Sequence, residues 1–127
     1  VLTLLRRLLP TSTSRVLAER VARGARLLDE RGPADWRDRV DARTLKMSSG
    51  YGCVLGQLYG ELGSDSSGFK IGLGQLGLND RKGATEHGFT FAYGAVAPDW
   101  DRLTIAWQRR LHRDRRFART VDATRDA

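Results

Sequence analysis

The chain holds a single cysteine, two histidines and three prolines, and each shortage removes a class of protein. One cysteine cannot close an internal disulfide or build a cysteine-rich zinc site, so a reduced, cytoplasmic setting is expected. Cys53, His87 and His112 have no ligand-like spacing, so neither a metal nor any other cofactor is expected. Uncharged apolar runs fall far short of the roughly 20 residues that a bilayer helix needs, and no membrane span is expected. The opening VLTLLRRLLP lacks the charge order and small-residue cleavage site of a secretory signal; a transit peptide or an incidental extension fits the Arg, the Ser and the absence of acid before Glu19. Lysine is scarce as well, at 3 against 19 arginines. A GC-rich coding sequence explains that bias more simply than phosphate recognition does, although the guanidinium fork suits phosphate and carboxylate.

What is present describes one folded domain. The 127 residues are 40% apolar and 29% charged, an ordinary globular composition. The net charge of +7 is unevenly spread: residues 1–26 carry +5, residues 27–101 carry −3 and residues 102–127 carry +5. That pattern describes a mildly acidic core with two cationic arms rather than a single basic face.

Helical spacing is clearest in SRVLAERVARGARLLDERGP. Val16, Leu17, Val21, Ala25 and Leu28 share one side, Ser14 is the expected N-cap, and Gly32 in a left-handed turn followed by Pro33 ends the helix. Arg20, Arg23 and Arg26 form its solvated face, with phosphate contact as the alternative. ADWRDRVDARTLKM gives a shorter helix in which Trp36 and Val40 pair one turn apart, with Leu45 and Met47 dropping into the core. A buried Trp36 would require an acceptor for its indole N–H. In PDWDRLTIAWQRRLH, Asp99 is the expected N-cap and Trp100, Leu103, Trp107 and Leu111 make one face; TVDATRDA reads as a frayed end.

MSSGYGCVLGQLYGELG carries two stripes. Tyr51, Val54, Leu55, Leu58, Tyr59 and Leu62 follow helical spacing, and Gly52, Gly56 and Gly60 make a bare stripe beside them. Each helical glycine costs about 1 kcal/mol against alanine, so close packing by a neighbour must compensate. The expectation is a buried central helix, capped by Ser48 or Ser49, with Gly52, Gly56 and Gly60 as close-packing positions. GSDSSG (63–68) reads as a loop. The alternations Phe69, Ile71, Leu73 and Phe89, Phe91, Tyr93 are strand-like and would pair as a small hairpin. GLGQLG at 72–77 matches the letters of the dinucleotide fingerprint, but LNDRKG follows where a long helix should open, so nucleotide binding is not expected. LGQL occurs at 55–58 and 73–76 with no third copy, too little for a repeat architecture.

Together, ARGARLLDERGPADWRDRVD, Leu45–Ser49, CVLGQLYG at 53–60, His87-Gly88-Phe89 and LTIAW at 103–107 carry a likeness. Over roughly residues 18–111 the chain resembles a group of small uncharacterised actinobacterial and actinophage proteins, CVLGQLYG being the most specific segment. The resemblance implies an actinobacterial or phage-encoded cytoplasmic protein of mostly helical build. It implies no reaction.

The expected fold is mainly α: a compact single domain of three to five helices with room for one short β-hairpin. Residues 1–13 would be a weakly ordered extension, 14–112 the helical domain and 113–127 a basic tail. Three functional classes remain. The first is a non-enzymatic protein, monomeric or homodimeric, that binds a protein partner through a helical surface with cationic arms. The second binds nucleic acid through its Arg-rich termini, Arg109, Arg110, Arg113, Arg115, Arg116 and Arg119 being the contacts to phosphate or to an acidic partner. The third is a cysteine enzyme, with Cys53 activated at a helix start, His87 as base and Glu86 or Asp80 orienting it. A lone cysteine beside an apolar stripe is more often a buried packing residue, so catalysis ranks last. The acid pairs Asp35/Asp38 and Asp99/Asp101 fall at helix starts, where capping and dipole effects account for them.

Overall fold

The computed structural model describes residues 10–60, 67–92 and 94–126, and of the first four and last two of these the backbone alone. Residues 1–9, Leu62 of the apolar stripe, Tyr93 of the second alternation and most of the GSDSSG loop lie outside the described residues. Six helices and no strand occur among the described residues: α1 (Pro10–Arg31), α2 (Trp36–Arg39), α3 (Val54–Tyr59), α4 (Gly68–Leu76), α5 (Arg81–Glu86) and α6 (Ala97–Asp126). The mainly α reading holds, with α2 a single turn; the β-hairpin does not form.

Trp107 of α6 sits at the centre. Its indole N–H donates to the Gly88 carbonyl at 2.7 Å, Phe89 stacks on it with centroids 5.6 Å apart, and Trp36 meets it edge-on at 6.3 Å. Around this cluster α1 contributes Leu17, Val21, Ala25 and Leu28, and α6 adds Leu103 and Leu111, all buried. Glycine is required where α1 crosses this centre. A Cβ on Gly24 would collide with the His87 carbonyl and lie 3.0 Å from the Trp107 ring, and Gly88 takes a φ of 72° against the α1 backbone. Replacing a buried tryptophan by alanine costs about 3–5 kcal/mol in general, so this cluster is the main anchor of the fold.

Trp36 is buried and its indole N–H donates to Asp29 Oδ1 at 2.9 Å, as the sequence required. Arg37 links α2 to both long helices, pairing with Asp29 of α1 and with Asp114 of α6, the latter at 2.9 Å. The Arg37 hydrogen bond holds the Asp29 carboxyl below the usual carboxylate range, against the opposing effect of partial burial; the Trp36 N–H adds to the lowering. Leu45 and Met47 enter the core as expected, and the Met47 N–H donates to Thr104 Oγ1 of α6.

Several local expectations are corrected. Helix α1 already includes Pro10 among the described residues, so Ser14 lies within it rather than capping it, and Val16 faces outward. The helix does end before Pro33, but Gly32 has no left-handed φ; a side chain there would press on the Leu28 carbonyl, to which the Gly32 N–H donates. In α6, Asp99 is not the N-cap. Its carboxylate accepts from the Val96 N–H at 2.9 Å, the return bond of a capping box made from the third helical position. TVDATRDA, read as a frayed end of the basic segment 113–127, is helical through Asp126, with the Thr120 and Thr124 hydroxyls bonded to carbonyls four residues earlier.

The two strand readings fail for different reasons. Gly68, Gly72 and Leu76 are the buried face of α4, while Phe69, Ile71 and Leu73 are only partly buried beside it. Two of the three packing residues are glycines, which leave no hydrophobic mark, so the flanking side chains simulated a period of two. In the second segment Phe89 lies on Trp107 and Phe91 meets Trp100 edge-on at 5.0 Å, from irregular chain.

Candidate functional site

The glycine-rich stretch forms a helix, but a shorter one than its stripe suggested. Cys53 is the N-cap of α3, its Sγ accepting from the Gly56 N–H at 3.3 Å, while Ser49 Oγ serves the preceding turn by accepting from Tyr51 and Gly52 N–H. Neither Ser48 nor Ser49 caps α3. Val54, Leu55, Leu58 and Tyr59 are buried as expected; Tyr51 stands outside the helix and exposed.

Among the described atoms, a side chain on the bare stripe is excluded at Gly56. A Cβ on Gly56 would lie 2.6 Å from the Gly50 carbonyl oxygen and 2.5 Å from the Tyr51 carbonyl carbon. Gly52 has ordinary room, its nearest neighbour being Ser49 at 3.4 Å, and a Cβ on Gly60 meets no described atom within 4 Å. The Gly56 contact is with the preceding turn, and α4 adds a second close approach. A Cβ on Gly68 would stand 2.7 Å from both the Gly56 oxygen and the Gly60 nitrogen, and one on Gly72 would strike Tyr59 and Leu55. CVLGQLYG is therefore a packing seam.

That seam decides the fate of the thiol. Cys53 is 1% exposed, and burial pushes its pKa up although three backbone N–H groups pull the other way. The N-terminal dipole that would favour a thiolate is outweighed by the loss of water. No hydrogen bond joins Cys53 to His87, the C-cap of α5, whose Nδ1 lies 2.8 Å from the Gly83 carbonyl. Asp80, considered as an orienting acid, instead caps α5 by accepting from the Gly83 N–H at 2.7 Å, and the Glu86 carbonyl takes the Arg23 guanidinium. Among the described residues no three His, Cys, Asp or Glu side chains are placed to share a metal ion. GLGQLG closes a helix rather than opening one: Gly77, with φ 74°, is the left-handed C-cap of α4.

The six candidate arginines 109, 110, 113, 115, 116 and 119, all on α6, separate into different roles. Arg115 is structural, donating to the Arg37 and Val40 carbonyls at 2.6 and 2.7 Å and so closing the end of α2. Arg110 pairs with Asp114 at 3.1 Å. Arg109, Arg113, Arg116 and Arg119 are exposed and have no partner among the described residues. Two of these four, Arg109 and Arg113, stand over a groove.

The groove, of about 310 Å³, runs between α1 and α6. Its α6 side is built by Arg102, Ile105, Ala106, Arg109, Arg110 and Arg113, a single helical stripe adjoining the core stripe of Leu103, Trp107 and Leu111. Its α1 side is Ser14, Leu17, Ala18 and Val21, again one stripe. The floor is apolar, Ile105 is 43% exposed upon it, four arginines stand around it, and no carboxylate lines it. Sequence reasoning found the arginines but not the groove. The spacing of 102, 105, 106, 109, 110 and 113 was available as a signal, hidden because the arginines were read only as a charged helix end running into a basic tail. No family model, curated protein or solved structure matches this chain. No described helix is long and apolar enough to cross a membrane.

Proposed function

We propose that the chain is a non-enzymatic cytoplasmic interaction module that binds a protein partner through the α1–α6 face. The single observation that supports this reading is the groove, where a half-uncovered Ile105 on an apolar floor is bordered by four arginines. Protein-binding surfaces combine an apolar centre with a polar rim in this manner, and arginine is enriched in them. The buried thiol, the N-cap roles of Cys53 and Asp80, and the fingerprint that closes a helix all have structural explanations, whereas the groove of the α1–α6 face has none in folding. On this reading CVLGQLYG, the segment behind the resemblance to actinobacterial and actinophage proteins, is shared core architecture rather than a shared site.

A second reading has its own observation. Beyond Asp114 the distal part of α6 presents Arg116, Arg119 and a Phe117 that is 70% exposed, a basic surface suited to phosphate. A photo-crosslinking residue placed at Ile105, at Phe117 or at Tyr51, in the full chain within the native host, separates the two. A discrete protein adduct at Ile105 that disappears in the Arg109→Glu/Arg113→Glu variant supports the interaction module. Nucleic-acid adducts at Phe117, with generic DNA or RNA binding that falls steeply with salt, would replace it by the second reading.

A further inference from the structure

The groove also constrains what its occupant must be, and an inference about that occupant rests on the interaction reading above. Arg109 and Arg113 are separated by four residues of α6, which puts their origins about 6 Å apart along the helix axis. Both are exposed and free of described partners, whereas Arg102 and Arg110 at the same rim are already engaged with Asp99 and Asp114. The unspent cationic capacity is thus a pair with one-turn spacing, beside an apolar floor centred on Ile105. We infer that the groove takes an acidic amphipathic helix of a protein partner, apolar side chains seated over Ile105 and two carboxylates one turn apart meeting Arg109 and Arg113.

Charge and shape select this occupant over the others. A second copy would bring the same arginines against the first, and like charges set opposite each other cost affinity. The chain's own residues 1–9 include Arg6 and Arg7 and no carboxylate, so their charge opposes the rim as well. Nucleic acid would gain from stacking aromatics, and none lines the groove. An extended peptide binds by adding a strand to a sheet edge, and the described residues contain no strand to offer one. A helix carries its own backbone hydrogen bonds and presents residues at i, i+3, i+4 and i+7, the same pattern as the two stripes that wall the groove.

The test uses the full chain as bait for a displayed library of helix-favouring peptides about 16 residues long, a length at which helices become viable in water. Enriched peptides are expected to carry Asp or Glu pairs at i, i+4 or i, i+3 beside a Leu or Ile stripe. The selected peptide should lose affinity at least about tenfold against Arg109→Glu/Arg113→Glu, and recover on that variant when its two acids become lysine, since paired charges at an interface are coupled. Melting temperature should be unchanged in the variant. Enrichment of neutral or basic peptides, enrichment insensitive to the charge swap, or displacement of the peptide by generic duplex DNA or by anionic vesicles would overturn the acidic-helix inference. If no peptide is enriched while a protein still crosslinks at Ile105, this inference falls and the interaction module stands; if neither occurs, both fall.

Discussion

Where α3 meets α4 the two backbones come into contact through Gly56 and Gly68, while α1 and α6 touch at Gly24 and Trp107 and leave a groove of about 310 Å³ beside that contact. Both pairs use glycine for close approach. They differ in what flanks it. One turn along α4, Gly72 lies against the buried Leu55 and Tyr59 side chains, so the seam continues into apolar packing. Beside Gly24 the next stripe of α6 is Arg102, Ile105, Ala106, Arg109, Arg110 and Arg113, long cations alternating with a single large apolar residue, which cannot fill the space against α1. The first pair spends its sequence on packing. The second has enough packing in its Trp107 stripe to hold the helices and leaves the adjoining stripe for something else.

The contrast can be broken most forcefully at Gly68. Leucine there would drive side-chain atoms into the Gly56 and Gly60 backbone, which cannot move aside as a flexible side chain would. Overpacking of this kind typically costs 1–3 kcal/mol and more against backbone, so a loss of about 3 kcal/mol is expected in urea unfolding, against less than about 0.5 kcal/mol for Ile105→Ser in the open groove. Equal losses at the two sites would mean that the groove is as tightly built as the seam.

Next in size is the difference between two arginines of the same helix. Arg115→Met removes the donor to the Arg37 and Val40 carbonyls and should cost about 2 kcal/mol, the range for charge-assisted hydrogen bonds. Arg109→Met, with no described partner, should leave thermal stability unchanged and alter only binding. A comparison of melting temperatures decides whether the tail arginines are in fact divided into structural and free members. The smallest effect sharpens the seam from within α4. Gly74→Ala meets no described atom within 4 Å and should stabilise by about 0.5–1 kcal/mol through helix propensity, whereas Gly72→Ala on the buried side should destabilise. If both behave alike in chemical denaturation, helix propensity and not contact explains the glycines.

The legibility of this chain tracks the kind of mark a residue leaves. Leu17, Val21, Ala25 and Leu28, Leu103, Trp107 and Leu111, and Trp36 with Val40 were all readable as buried faces because large apolar side chains repeat at helical spacing. The acceptor required by Trp36 was readable too, since a buried N–H must be met. Helix α4 was misread because its packing face is Gly68, Gly72 and Leu76, and a residue without a side chain registers on no hydrophobic scale. The arginine cluster was visible as composition, but its division was not: Arg115 closes α2 only because the chain from 37 to 40 comes to lie beside α6, 75 residues away from it in sequence at Val40.

By itself, then, the sequence determined the mainly helical class, the apolar stripes of the first and last long helices, the burial of Cys53 beside the stripe of α3, and that GLGQLG opens no long helix. These follow from local periodicity and turn chemistry, which act over a few residues. The tertiary structure decided that α4 is a helix seated on α3, that α6 continues through the basic segment, which arginines are free, and that an apolar groove lies under two of them. Those outcomes depend on which surfaces meet, and a contact between Gly68 and Gly56 or between Arg115 and Val40 is set by the path of the whole chain rather than by its neighbours in sequence.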